Sequence, residues 1–66
     1  MLIVGTGKRD KEPFATAIEF DGPIGNPMEA IYLLVNRKGL FREFIETISL
    51  IHEGSVIRHW RLNETE

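Results

Sequence analysis

The sequence predicts an α+β fold: a small antiparallel sheet of about three strands, in the chain order β-β-α-α-β, with two helices on one face. Three observations carry that expectation. Phe14, Thr16, Ile18 and Phe20 alternate with Ala15, Ala17 and Glu19 at period two, the pattern of a strand covered on one side. Asn26-Pro27-Met28-Glu29 carries helix-start chemistry, and Arg37-Lys38-Gly39 carries the chemistry of a helix end. Leu40, Phe41, Phe44, Ile45, Ile48 and Ile51 recur at helical spacing.

Taken in order, Leu2–Val4 is a short apolar run that reads as a strand able to pair with Phe14–Phe20 as a hairpin. Between them, Gly5–Pro13 has two glycines, a proline and five charges, the composition of a solvated loop. Asp21–Pro27, with two glycines and two prolines, breaks the second strand. The next segment has two readings. Ala30–Val35 is apolar all round and fits a buried strand, which would give the alternative order β-β-β-α-β. Capping chemistry at both ends favours a helix over Asn26–Lys38.

For Leu40–Glu53 the six apolar positions fall within an arc of about 140°, with Arg42, Glu43, Glu46 and Glu53 outside it. That predicts a second helix of about 21 Å, ended by Gly54-Ser55. Val56–Leu62 is rich in strand formers, with Val56, Trp60 and Leu62 sharing a face, and should be the last strand. Asn63–Glu66 should fray.

All 66 residues are expected to form one domain, near the lower size limit for unaided folding. Chains this small usually gain stability from disulfides, a metal or a partner subunit. Without cysteine, disulfides and thiolate metal sites are excluded. The run Met1-Leu2-Ile3-Val4 ends at Gly5, too short for a signal peptide or a membrane span, so a cytoplasmic protein without membrane contact is expected. A net charge of −2 with 27% charged residues is ordinary and argues against a dedicated nucleic-acid binder. A partner subunit is the remaining stabiliser.

Some apolar residues do not fit a single small core. Leu33 sits about 140° around the helix axis from Met28, and Leu50 about 80° outside the arc of the second helix. Trp60 lies among Arg58, His59 and Arg61. Leu33, Leu50 and Trp60 are therefore the candidate contact residues of a homodimer, with a further protein partner also compatible. The basic residues Lys8, Arg9 and Lys11, together with Arg58 and Arg61 around Trp60, define a second candidate, a nucleic-acid contact with a stacking aromatic. Asp10, Glu12 and Glu43 dilute that field.

Catalytic, metal and cofactor sites are not expected. Gly5-Thr6-Gly7-Lys8 resembles part of a phosphate-binding loop, but Arg9 follows and Pro13 interrupts, so no helix N-terminus completes a cradle. The two histidines, His52 and His59, span a turn and lack a third ligand in pattern. No serine, threonine or carboxylate stands at a spacing that makes it a partner for His52 as a base. A site assembled between subunits, bringing His52 or His59 to a partner's carboxylate, is the remaining enzymatic possibility. The sequence thus points first to a small homo-oligomeric interaction or regulatory module without intrinsic catalysis. An accessory protein that binds nucleic acid around Trp60 stands second.

Overall fold

The alternation in Phe14–Phe20 belongs to a long hairpin. In the computed structural model, which describes residues 1–62, β1 (Leu2–Arg9) pairs antiparallel with β2 (Glu12–Glu19) from Leu2 opposite Glu19 to Arg9 opposite Glu12. Asp10 and Lys11 form the turn, with φ of 54° and 69°. Positive φ at both central residues matches the right-handed twist of the flanking strands. The solvated loop expected over Gly5–Pro13 is therefore strand on both sides of a two-residue turn.

Gly5 and Gly7 belong to β1 because other atoms occupy the space beside them. A Cβ on Gly5 would lie 2.7 Å from Leu34 Cδ1, and one on Gly7 would lie 1.8 Å from the Phe44 carbonyl oxygen. Glycine within a strand commonly marks such a close approach.

The helix α1 spans Pro27–Lys38. Its first turn is closed twice: Glu29 N–H donates to Asn26 Oδ1 at 3.2 Å, and Gly25 N–H donates to Glu29 Oε1 at 2.9 Å. At the other end Gly39 takes the left-handed conformation, φ 69°, and donates its N–H to the Val35 carbonyl at 3.0 Å. Side-chain caps of this kind contribute about 1 kcal/mol, so Asn26→Ala should lower the unfolding free energy by that amount in urea titration.

The second expected helix does not form. Arg42–Phe44 makes one short 3-10 turn, and Ile45–His52 is a strand, β3, followed by β4 (Ser55–Arg61) across a turn at Glu53-Gly54. The reason is visible in the register. Thr47 pairs with Thr6 and Ile45 with Gly7, so Glu46 is bulged out of the ladder. The bulge puts Ile45 and Ile48, three residues apart, on the same face of the sheet. With Phe41 and Phe44 ahead of it, that spacing imitates a helix. The chain order is thus β-β-α-β-β, replacing both β-β-α-α-β and β-β-β-α-β.

All four strands are antiparallel, in the spatial order β2-β1-β3-β4. The core lies between α1 and one sheet face: Ile3, Ile18, Ile45, Ile48 and Leu50 from the strands, Ala30, Ile31 and Leu34 from α1, and Ile24 from the connection before it. No polar residue is buried among the described residues. The opposite face carries Val4, Thr6, Ala15, Ala17, Thr47 and Ser49 in register, and no element of the described residues packs on it. The Cα radius of gyration is 11.3 Å, in line with about 11 Å for a compact chain of this length. The fraying expected for Asn63–Glu66 concerns residues outside those described.

Leu34, fully buried, sits over the bare backbone of Gly5. Leu34→Ala should cost about 2–5 kcal/mol by leaving a cavity. Adding Gly5→Ala refills part of that space, so the double variant should be more stable than the sum of the two single losses, as read from a double-mutant cycle of urea midpoints.

Candidate interaction surface

The residues singled out from the sequence are dispersed by the sheet. Leu50, on inner strand β3, is 2% exposed and belongs to the core, so it leaves the set of contact residues. The second helix that had placed it on a charged side is the strand β3. Leu33 is half-buried at the core edge. Trp60 pairs across the sheet with Ile48, packs its half-buried side chain on the core, and carries the Arg58 guanidinium 4.8 Å from its ring centroid.

The basic candidates divide in the same way. Arg58 pairs with the buried Leu50 and therefore lies on the α1 side of β4, with Trp60. Arg61 pairs with Thr47 on the uncovered side, the side of Lys8. Arg9 alternates to the opposite face from Lys8, and Lys11 is in the turn. The two arginines that flank Trp60 in sequence are thus on opposite faces, and the stacking aromatic does not lie between them.

The histidines are also apart from any grouped ligands. His52 is exposed at the end of β3, its Nε2 3.6 Å from Glu53 Oε2. His59 is on the uncovered sheet face, its Nδ1 2.8 Å from Ser49 Oγ. Among the described residues no three His, Asp or Glu side chains come together as a set of metal ligands. No helix among them is long and apolar enough to cross a membrane.

What the structure does bring together is an aromatic and methionine surface on the outer side of α1. Met28 is 48% exposed, Tyr32 69% and Phe41 60%. Met28 and Tyr32 stand one helical turn apart, while Phe41 enters from the segment before β3, edge-on to Phe44 with ring centroids 5.9 Å apart. Met28 forms the ridge between two grooves. One, of about 560 Å³, runs between α1 and the chain entering β3 and is lined by Met28, Ile31, Phe41, Arg42, Glu43, Ile45 and Leu62. The other, of about 550 Å³, lies toward Phe20, Pro23, Tyr32 and Leu33. Arg42 Nη2 reaches Met28 Sδ at 3.6 Å and so sits at the border of the patch.

Two further exposed apolar residues lie on the edge strand β4, Val56 at 60% and Ile57 at 51%, while Leu2, at 38%, is on the inner strand β1, across Ile51 from Val56. The sequence signals that α1 carries some outward apolar surface, but not which residues form it. A helix apolar all round that meets only one sheet face must turn part of its apolar surface outward. With Ala30, Ile31 and Leu34 committed to the core, Met28 and Tyr32 are the residues left over.

The described residues form a four-stranded antiparallel sheet with one α-helix, an α+β domain whose most developed external feature is an exposed apolar face. Compared with protein-family models, with curated proteins and with solved structures, the chain matches none.

Proposed function

We propose that this domain is a self-associating interaction module without intrinsic catalysis, and that its contact surface is the Met28–Tyr32–Phe41 face. The observation that carries the reading is the exposure of Tyr32 and Phe41 on either side of Met28, at 69% and 60%. Single exposed hydrophobes are ordinary on a protein surface; a contiguous group between two grooves is not. Aromatic residues, Met and Arg are also the types enriched where proteins meet. Such a face supplies protruding rings and the recesses to receive them, which is what two-fold self-contact requires.

A second copy is the preferred partner because the domain is small and its own core takes up only nine apolar side chains, leaving six large ones exposed. Sedimentation equilibrium at micromolar concentration tests the reading. A reversible dimer is expected, and a monomer mass at every concentration would remove it.

A further inference from the structure

The two edges of the sheet differ in a way that self-association through α1 does not use. The β2 edge includes Pro13, which has no N–H to offer, and is bounded by Glu12 and Glu19. Proline within a strand is an ordinary means of closing an edge to further pairing. The β4 edge has no proline and no carboxylate, and every residue from Ser55 to His59 is exposed. Among the described residues it pairs only with β3. Its side chains are Val56 and Ile57, then Arg58, His59, Trp60 and Arg61.

We propose that the β4 edge accepts an extended acidic peptide segment of another protein as a fifth strand. Backbone hydrogen bonds along the edge would supply affinity, and the arginines would supply selectivity. The choice of an acidic occupant rests on charge. Among the described residues neither Arg58 nor Arg61 lies within 4 Å of a carboxylate. A second copy of β4 would bring two more arginines to the same seam, and like charges facing each other across strands are destabilising.

The geometry also specifies spacing. Arg58 and Arg61 are three residues apart and point to opposite faces of the sheet, as their partners Leu50 and Thr47 show. An added strand that meets both must carry carboxylates three residues apart, since a spacing of two or four would return both to one face. The bulge at Ile57, where the register shifts, limits the regular stretch of edge to Arg58–Arg61. Within that stretch the Arg58 guanidinium is held against the Trp60 ring, which keeps its charge beside the strand.

The test is a titration of the 15N-labelled domain with a blocked peptide of about eight residues, rich in Thr and Val, with two Glu three positions apart. Amide shifts confined to Ser55–Arg61 are expected. Exchanging both Glu for Gln should weaken binding roughly tenfold, the scale of two cross-strand charge pairs. Methylating alternate backbone nitrogens of the peptide should abolish it. The R58E/R61E variant, checked for folding by circular dichroism, should lose the acidic peptide and take a Lys-substituted one instead; if it does not fold, the Gln and N-methyl peptides decide. The proposal is overturned by any of four results: no shifts up to the solubility of the peptide, shifts centred on Met28 and Tyr32, equal binding of the Gln or N-methyl peptide, or equal shifts produced by a single-stranded oligonucleotide. Because the α1 face is a separate surface, dimerisation can fail while this result stands, and the reverse.

Discussion

Gly7→Ala should destabilise the domain by roughly 3 kcal/mol or more, enough to lower the thermal midpoint by about 12–24 °C in a chain of this size. The added methyl would meet the Phe44 carbonyl oxygen at 1.8 Å, with the Phe44 carbonyl carbon at 2.9 Å and the Glu46 nitrogen at 3.1 Å. All three are backbone atoms, so no side-chain rotation relieves the overlap. The chain entering β3 would have to move by more than an ångström, and β3 is an inner strand paired with both β1 and β4. Ile45 and Ile48, which anchor that strand in the core, would move with it. Gly25→Ala is the control. Nothing lies within 4 Å of a Cβ there and its φ is ordinary, so a change within about 0.5 kcal/mol is expected. Equal melting of the two variants would show that the approach of Phe44 to β1 is not a real constraint.

Tyr32→Ala and Phe41→Ala should each weaken self-association by about thirtyfold, the effect of losing a contact worth about 2 kcal/mol at the centre of an interface. Together they should weaken it roughly a thousandfold, leaving a monomer at micromolar concentration. The domain itself should remain folded, because both side chains are largely exposed in the isolated chain. Sedimentation and circular dichroism must therefore part company: the mass falls while the spectrum is kept. Should the double variant sediment as the parent does, the α1 face is not the seam. The uncovered sheet face around Val4, Ala17 and Ile51 would then be the next surface to alter.

Much of the fold was legible in local chemistry. The cap residues Asn26 and Gly39 bracket α1 within a residue of its observed ends, because capping is settled by hydrogen bonds inside one turn. The alternation of Phe14–Phe20 located β2, and the β-branched and aromatic residues of Val56–Leu62 located β4. Where the reading failed, the local signal had a second meaning. Gly5 and Gly7 look like loop residues but are spaces for Leu34 and for the Phe44 backbone. The hairpin turn at Asp10-Lys11 lacks the glycine that usually marks such a turn. In β3, Ile45, Thr47, Ile48 and Ile51 are β-branched, a strand signal, yet the bulge at Glu46 gave their buried members the spacing of a helix.

The contact residues followed from those errors. Leu50 stood out only while its segment was a helix, and Trp60 only while its neighbours were taken as a single polar surface. Phe41 was counted in the apolar arc of the second helix, Tyr32 within the all-apolar segment Ala30–Val35 and Met28 only in the helix start, since nothing in their order shows which side of α1 the sheet will cover.

By itself the amino-acid order favoured a helix between Asn26 and Gly39 over a buried strand, placed the strands at Phe14–Phe20 and Val56–Leu62, and left a chain with no thiol to cross-link. Caps, turns and short periods act over a few residues, so they can be read without the rest of the molecule. Tertiary structure alone decided that β1 runs through its glycines, that β3 is a strand, and that Tyr32 and Phe41 stay outside while Leu50 goes in. Those outcomes depend on what packs against each residue from distant parts of the chain: the space beside a glycine, the partner of a bulge, and the side of a helix that a sheet reaches.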